Sequence, residues 1–259
     1  MSAIVVFDID GVIRDVGSSY RRALADTVAE FTRGSYRPTA IDIDTLKGEG
    51  SWNNDWEASQ ELIYRYFERQ GQTRSELELD YDRIVAYFQT KYRGTDPVNW
   101  NGYICDEPIL ASLEYFASLT AASIPWGFFS GATTGSATYI LTGRLGLVEP
   151  ILVAMEDAPG KPDPSGLLMA VARLSQQHAN IDAFPIIYVG DTVADMYTIV
   201  NARKVEVGRD FIAVGVLPPH ILAEESLVDE YRESLIRSGA TIVINSVQKL
   251  TPELINSFK

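Results

Sequence analysis

The amino-acid sequence predicts an α/β fold in which a parallel, Rossmann-like sheet is flanked by helices, with an all-helical cap inserted after the first strand. One observation is that short apolar runs alternate with helical patterns beyond about residue 96, as in parallel sheets covered on both faces. A second is that residues 16–95 show helical periodicity and no convincing strand. We therefore expect a core built from 1–15 and 96–259, and a cap built from 16–95.

The first strand is predicted at Ile4–Phe7, a short apolar run that suits a buried strand of a parallel sheet. Two carboxylates and a glycine follow it at once: Asp8, Asp10 and Gly11. Ligands of open α/β sheets bind beyond the carboxyl ends of the strands, so both acids are expected at a site. Two anions this close repel each other, which predicts either bound Mg²⁺ or a carboxyl group with a raised pKa.

The inserted segment is interpreted as helical because its apolar residues recur on one face. Leu62, Ile63 and Phe67 show this spacing, and Gly71 is a suitable helix stop. The predicted helices cover 18–33, 39–48, 54–70 and 75–92, and a polar loop with two tryptophans covers 47–56.

The rest of the chain repeats a unit of strand, loop and helix, which indicates a parallel sheet covered on both faces. Strands are predicted at 124–129, 151–155, 185–189, 211–216 and 241–244. Helices are predicted from 106 (capped by Asp106) to 121, from 133 or 134 to 145, from 164 to 177, up to about 202, from 225 to 238 and from 246 to 257.

The composition excludes several classes of protein. With 22 basic and 35 acidic residues the net charge is −13, which argues against a nucleic-acid or anionic-membrane surface as the main partner. No apolar stretch has the length of a membrane span or a signal peptide, so we expect a cytoplasmic protein. The single Cys105 excludes an intramolecular disulfide.

Polar residues follow each of the next three predicted strands. Ser130 and the amide of Gly131 follow the second strand, Lys161 follows the third, and Asp191 with Asp195 follow the fourth. Each residue alone has an ordinary explanation as a turn residue, a solvated charge or a helix cap. Because parallel strands share one carboxyl edge, their recurrence at the same position of successive units favours a joint function with the acids after the first strand.

These residues resemble the haloacid dehalogenase superfamily of Mg²⁺-dependent phosphotransferases, and the resemblance extends from the first residues to about 245. The helical insertion resembles the cap of that superfamily's first class (C1), as found in subfamily IA. The resemblance rests on Asp8-Ile9-Asp10-Gly11-Val12 as the first motif, Phe128-Phe129-Ser130 as the second, Lys161 in Gly-Lys-Pro-Asp-Pro as the third, and Val189-Gly190-Asp191 with Asp195 as the fourth.

The resemblance implies a nucleophile, an acid and a metal. Asp8 would attack phosphorus and form an aspartyl phosphate. Asp10 would protonate the leaving alcohol and then accept a proton from water. Mg²⁺ would be held by Asp8, Asp191 and the backbone carbonyl of Asp10.

The remaining motif residues would bind the phosphoryl group. Lys161, the Ser130 hydroxyl and the Gly131 amide can receive its oxygens. Asp195 would orient a metal-bound water or Lys161. The expected reaction is the hydrolysis of a small phosphate ester.

Four alternatives stay open at this point. A sugar-phosphate mutase is favoured by Asp-Gly-Val, although the hinge histidine of those enzymes is absent and Tyr20 stands in its place. A dehalogenase has no use for the acid at Asp10, because halide leaves without a proton. A phosphonatase needs a cap lysine, for which Lys47 is the candidate. A non-catalytic binding protein on the same fold would not need the acid either.

Substrate choice is expected to depend on the loop at 47–56, because loops on rigid scaffolds commonly carry specificity. In the alternative interpretation, its two tryptophans pack the cap helices while its polar residues face water. The candidate substrate-contacting residues are Lys47, Glu49, Asn53, Asn54 and Trp56.

Overall fold

The computed structural model describes residues 3–49, 52 and 54–258. The chain divides into two compact units, one formed by Met1–Asp15 with Ile109–Lys259 and the other by Val16–Pro108. The sequence analysis placed the second boundary at 95, whereas residues up to 108 group with the helical unit. The Arg93 carbonyl accepts hydrogen bonds from the amides of Asn101 and Gly102, both at 3.0 Å, so the chain folds back there.

The helical unit contains α-helices and no strand among its described residues. Apolar side chains of its first helix, such as Leu24 and Val28, are fully buried, and this helix contacts the third and fourth. Thr39 caps the second helix by accepting a hydrogen bond from the Asp42 amide. The helices are α1 (Tyr20–Phe31), α2 (Ala40–Gly48), α3 (Asp55–Arg69) and α4 (Tyr81–Tyr92).

The core unit contains one parallel sheet of six strands in the order β3-β2-β1-β4-β5-β6. Val6 of β1 pairs with Gly127 of β2 on one side and with Tyr188 of β4 on the other. The carboxyl ends of these three central strands therefore lie side by side. The strands are β1 (Ile4–Phe7), β2 (Trp126–Phe129), β3 (Leu152–Val153), β4 (Ile186–Gly190), β5 (Phe211–Val216) and β6 (Ile242–Ile244).

Helices cover both faces of the sheet, which confirms the predicted fold class. On one face, Val6 belongs to a buried apolar cluster with Leu167 and Ile199. On the other, the Phe7 ring packs edge-on against Phe116 at 5.7 Å between centroids. The helices are α5 (Leu113–Ala121), α6 (Thr134–Thr138), α7 (Ser165–Gln177), α8 (Val193–Val205), α9 (Pro219–Leu222), α10 (Glu225–Arg237) and α11 (Pro252–Ser257).

Two predicted helix starts are wrong. The helix expected from 75 begins at Tyr81, after Asp80 caps it by accepting from the Arg83 amide, and only a short 3₁₀ turn lies at 74–76. The helix expected from 106 begins at Leu113. Glu107 is extended because the residue before a proline is disfavoured in the helical conformation.

Other differences concern helix ends. The helix predicted from 133 or 134 to 145 is α6 followed by a π-helical stretch at Tyr139–Arg144. The helix predicted at 246–257 is a 3₁₀ turn at Val247–Lys249 followed by α11, because Pro252 starts a new helix at its first position. Among the described residues, no helix is both long and apolar enough to cross a bilayer.

Candidate active site

The first strand delivers Asp8 to the carboxyl edge of the sheet. Its amide donates to the Val189 carbonyl at 2.8 Å, which continues the β1–β4 ladder by one residue. The chain then turns at Gly11, whose φ of +73° is accessible to glycine at little cost. The turn is closed by a hydrogen bond from the Gly11 amide to the Arg14 carbonyl at 2.9 Å. Asp8 is thus held rigidly, and its side chain is buried.

Lys161, which follows β3, contacts two acidic residues that follow β1 and β4. Its Nζ lies 2.7 Å from Asp8 Oδ1 and 2.7 Å from Asp195 Oδ1. Lys161 comes from the loop between β3 and α7, and Asp195 from the first turn of α8. The structure therefore brings together residues that are distant in the sequence and that the motif analysis had grouped.

Asp191 completes a group of three buried carboxylates. Oxygens of Asp8, Asp191 and Asp195 all lie within 4.8 Å of one another. The chain after β1 packs tightly on Asp191, since a Cβ at Gly11 would lie 2.0 Å from Asp191 Oδ2. Three carboxylates and the single ammonium of Lys161 leave an excess of negative charge. A hard divalent cation with oxygen ligands, such as Mg²⁺, fits this donor set and offsets that charge.

The pKa values of Asp8 and Asp191 reflect the burial of these carboxylates and the excess of negative charge around them. Burial raises the pKa of Asp8 from 3.8 to about 7, against the opposing effect of Lys161 and with a further increase from Asp195. Burial, followed by the Asp195 and Asp8 carboxylates, raises the pKa of Asp191 well above its ordinary value. Without a cation, the site therefore tends to retain protons on Asp8 and Asp191.

Asp195 and Lys161 stay charged as a pair. Burial, the largest single effect, would raise the pKa of Asp195, but the Lys161 ammonium and the hydrogen bonds from Lys161 and Thr192 together outweigh it and lower that pKa. Burial likewise opposes the charge of Lys161, yet the Asp195 and Asp8 carboxylates raise its pKa above the ordinary value. The pair thus presents a fixed ammonium beside the Asp8 carboxyl group.

Asp195 also takes part in the capping box of α8, whose N-cap residue is Thr192. Thr192 donates to Asp195 Oδ2 from its hydroxyl at 2.5 Å and from its amide at 3.0 Å, and the Asp195 amide donates back to the Thr192 hydroxyl. This reciprocal capping box is signalled in the sequence by Thr192-x-x-Asp195, a pattern that the motif analysis missed. Tyr188 donates to Asp195 Oδ1 at 3.0 Å, and no sequence pattern indicates that contact.

Ser130 and Gly131 follow β2, which pairs with β1, so they stand at the same sheet edge as Asp8. Ser130 is buried, and its Oγ accepts from the Ala132 amide at 3.1 Å. Gly131 is exposed, and nothing lies within 4 Å of the position that a Cβ would take. The tight turn after Ser130 thus leaves open space beside the Gly131 backbone.

The Asp10 side chain pairs with Arg14, whereas Asp8 pairs with Lys161. Arg14 donates from Nε to Asp10 Oδ1 at 2.6 Å, and the arginine side chain is fully buried while that of Asp10 is 30% exposed. The Asp10 carboxylate is not one of the three clustered carboxylates. The sequence analysis did not predict this ion pair.

Within the helical unit, two charged residues of the 47–56 loop have partners. Lys47 Nζ lies 2.6 Å from Asp55 Oδ1. Glu49 accepts two hydrogen bonds from Arg65, at 2.6 and 2.7 Å. These bidentate and short contacts tie Lys47 and Glu49 to residues of α3.

The other candidate loop residues have local roles or are not described. Asn54 caps α3 by accepting from the Trp56 amide at 2.9 Å. Trp52 donates from its indole to Glu49 at 3.0 Å, and Trp56 is half-buried. Asn53 lies outside the described residues.

Comparison with known proteins finds a matching family and a similar relative. The family described as haloacid dehalogenase-like hydrolases matches residues 3–203. A protein named imidazoleglycerol-phosphate dehydratase from Phytophthora nicotianae is 28% identical over 228 residues, which cover 86% of this chain and 45% of that protein. This chain thus spans less than half the length of that relative.

Solved structures share the fold at identities below 25%. A phosphonoacetaldehyde hydrolase-like protein from Oleispira antarctica superposes with a TM-score of 0.71 at 20% identity, covering 98% of this chain and 91% of that one. A β-phosphoglucomutase from Clostridium difficile gives 0.63 at 19% identity, covering 99% and 96%. Phosphatase Tt82 from Thermococcus thioreducens gives 0.61 at 22% identity, covering 82% and 92%.

Proposed function

We propose that this chain, which belongs to the haloacid dehalogenase-like hydrolases, is an Mg²⁺-dependent phosphatase that hydrolyses a small phosphorylated metabolite through an aspartyl phosphate on Asp8. The observation that carries the proposal is the buried arrangement in which Lys161 pairs with Asp8 and Asp195, both at 2.7 Å, beside Asp191. A phosphate ester repels nucleophiles through its own negative charge. This site supplies both an attacking carboxylate and positive charge to offset that repulsion.

In the first step, an oxygen of Asp8 attacks phosphorus while the bond from phosphorus to the ester oxygen breaks. Asp10 gives a proton to that oxygen from Oδ2, the carboxyl oxygen other than the one that Arg14 Nε contacts, so the alcohol leaves neutral. The phosphoryl group is then carried by Asp8 as an acyl phosphate. The rigid backbone of Asp8, hydrogen-bonded to Val189, supports a nucleophile that keeps its position through the step.

Charge on the phosphoryl oxygens is stabilised by the surrounding groups. Lys161 supplies an ammonium, and the Ser130 hydroxyl and Gly131 amide supply hydrogen-bond donors. Asp8, Asp191 and the backbone carbonyl of Asp10 would hold Mg²⁺, with Asp195 supporting the cluster through Lys161. The bound metal supplies electrostatic stabilisation of the transferring group.

In the second step, water attacks phosphorus and the bond from phosphorus to Asp8 breaks. Asp10 takes the proton from that water, which restores both carboxyl groups for the next cycle. An alcohol leaving group requires this acid and base, whereas halide does not. The presence of Asp10 therefore supports a phosphatase over a dehalogenase.

We propose further that residues 1–15 with the segment after the helical insertion form the catalytic core, and that the helical unit is the cap that selects substrate. Lys47 and Glu49 of the 47–56 loop are well suited to this task because each side chain is held by an ion pair before substrate binds. Lys47 is held by Asp55 and Glu49 by Arg65. Recognition by side chains that are held in advance loses less conformational entropy on binding than recognition by mobile side chains.

The mutase alternative is weakened at the hinge position. Tyr20 stands where the sugar-phosphate mutases carry a histidine, and its ring stacks on Tyr92 at 4.1 Å between centroids and packs near Phe88 at 5.8 Å. This residue thus contributes to the apolar packing of the helical unit. A packed aromatic ring cannot supply the proton transfers of an imidazole at this position.

A screen of phosphorylated metabolites tests the proposal. The purified protein should release inorganic phosphate from at least one small ester with Mg²⁺ present, and chelation should abolish the release. Imidazoleglycerol phosphate belongs in the panel because the Phytophthora relative is named for it. Full turnover in excess chelator, or conversion of a sugar 1-phosphate into its 6-phosphate without phosphate release, would contradict the proposal.

A further inference from the structure

Two aromatic rings flank the ammonium of Lys161. Its Nζ lies 5.5 Å from the centroid of the Phe129 ring and 5.6 Å from that of Tyr188. Both distances fall within the range of a cation–π interaction, which strengthens when the cation is removed from water. The Lys161 side chain is only 11% exposed. A flexible side chain is thereby held by rings as well as by carboxylates.

Tyr188 contacts this group with its hydroxyl as well as its ring. The hydroxyl donates to Asp195 Oδ1 at 3.0 Å and also lies 3.3 Å from the Phe129 carbonyl oxygen. Asp195 Oδ1 is the same atom that Lys161 contacts. Burial, followed by the Asp195 carboxylate, raises the pKa of Tyr188 well above its ordinary value, so the hydroxyl keeps its proton.

The position of the Phe129 ring depends on a glycine in α7. A Cβ at Gly166 would lie 2.1 Å from the Phe129 ring, so no larger residue fits without moving it. The Phe129 and Tyr188 rings are 6.1 Å apart between centroids. We call these two rings the aromatic seat. The seat is buried in the core unit on the face of the sheet that α7 covers.

We propose that Tyr188 is a positioning residue that, with Phe129, holds the Lys161 ammonium in place to receive phosphoryl oxygens. This inference rests on the proposed function for the ligand of Lys161. The two rings of the aromatic seat contact the Lys161 ammonium, and the Tyr188 hydroxyl holds the Asp195 carboxylate with which that ammonium pairs. Loss of the hydroxyl removes one restraint on Asp195 Oδ1 while Thr192 still holds Oδ2, so the carboxylate and the Lys161 ammonium paired with it are less firmly positioned. The affinity for a phosphate oxyanion then falls.

The direct test measures the binding of inorganic phosphate to the full chain by calorimetry, with Mg²⁺ present. Tyr188→Phe keeps the ring and removes the hydroxyl, and it should raise the Kd for phosphate about tenfold, as expected for a lost hydrogen bond to a charged group. Tyr115→Phe is the matched control, because the buried Tyr115 hydroxyl donates to the Leu250 carbonyl at 3.1 Å, away from Lys161. It should lower the Tm without changing the Kd.

A second pair of variants separates positioning from general destabilisation. In an Asp195→Asn background, Tyr188→Phe should change the phosphate Kd by less than about twofold, because the two residues act through one contact. Gly166→Ala should displace the Phe129 ring and weaken phosphate binding while the Tyr188 hydroxyl remains.

Three outcomes decide the matter. An unchanged phosphate Kd in Tyr188→Phe, with a Tm loss like that of Tyr115→Phe, would overturn the inference and leave the proposed function intact. Full additivity of Tyr188→Phe with Asp195→Asn would overturn it as well. Weakened phosphate binding in Tyr188→Phe, with a wild type that hydrolyses no ester, would support the inference and refute the phosphatase proposal.

Discussion

Replacing Gly11 with alanine should disable the proposed Mg²⁺ site while leaving the chain folded. Gly11 has a φ of +73°, and a Cβ there would lie 2.0 Å from Oδ2 and 2.4 Å from Cγ of Asp191. The backbone on both sides cannot move easily, because the Asp8 amide is bonded to Val189 and the Gly11 amide to Arg14. The side chain of Asp191 must therefore rotate away.

Two separate contributions determine how much Gly11→Ala lowers the free energy of unfolding. A left-handed backbone costs a non-glycine residue about 1–2 kcal/mol, and inserting a methyl group into a packed site costs about 1–3 kcal/mol. The expected destabilisation is thus about 2–5 kcal/mol. Displacement of one carboxylate should lower Mg²⁺ affinity by at least about tenfold, the lower end of what altered metal surroundings produce.

Gly146→Ala separates the two contributions. Gly146 has a φ of +82°, and nothing lies within 4 Å of its Cβ position, so this variant carries the backbone strain alone. Calorimetric unfolding and Mg²⁺ titration of both variants give the comparison. Gly11→Ala with Mg²⁺ affinity within about twofold of wild type, or an equal loss of affinity in Gly146→Ala, would refute the reasoning.

Three further predictions concern the metal, the acid and the cap. Burial raises the pKa of Asp8 to about 7 and that of Asp191 well above its ordinary value, and Mg²⁺ binds the ionised carboxylates. Calorimetry should therefore show an Mg²⁺ affinity that increases with pH and declines as the pH falls through about 7; affinity that rises on acidification would contradict the assignment. Asp10→Asn should lower kcat/KM for alkyl phosphates about 10²-fold or more while largely sparing nitrophenyl phosphate, whose leaving group needs no proton, and an equal loss on both esters would give Asp10 another role. Asn54→Ser retains a cap for α3 and removes the amide, so kcat/KM should fall for the best metabolite and hold for nitrophenyl phosphate; parallel changes on both would exclude Asn54 from substrate recognition.

The position of the candidate site was predictable because it depends mainly on strand order. Asp8, Ser130 and Asp191 each follow a short apolar strand, and parallel strands end at one edge of the sheet. Their convergence needs no knowledge of side-chain conformation. Lys161 lies in the loop after β3, behind Glu156 and Asp157, and was identified from the Gly-Lys-Pro-Asp-Pro motif as well as from strand order.

The side-chain contacts within the candidate site were not predictable. They depend on which face of the sheet each side chain occupies and on the register of strand pairing. Tyr188 reaches Asp195 only because its side chain shares a face of the sheet with Val6 and Phe129. The pairing of Arg14 with Asp10 depends on the turn closed at Gly11, which places residues four apart side by side without a helix. Neither contact leaves a periodic pattern in the sequence.

Helix boundaries failed where local chemistry competed with apolar spacing. Glu107 precedes a proline and is extended, so no helix begins there. Helix α5 begins after Ser112, whose hydroxyl accepts a hydrogen bond from the Tyr115 amide. Asp80 similarly starts α4 later than the apolar spacing suggested. Both caps were visible as residue types, but competing candidate caps preceded them.

The proposed aspartyl-phosphate mechanism can be tested by identifying the residue that carries the phosphoryl group during turnover. Protein mixed with Mg²⁺ and a hydrolysed ester should be quenched in acid within one turnover, digested and analysed by mass spectrometry. The account predicts an acid-stable, alkali-labile acyl phosphate on the peptide that contains Asp8, and its absence from Asp8→Asn, which should be folded and inactive. A phosphoryl group on another residue, or turnover of Asp8→Asn near the wild-type rate, would contradict the account.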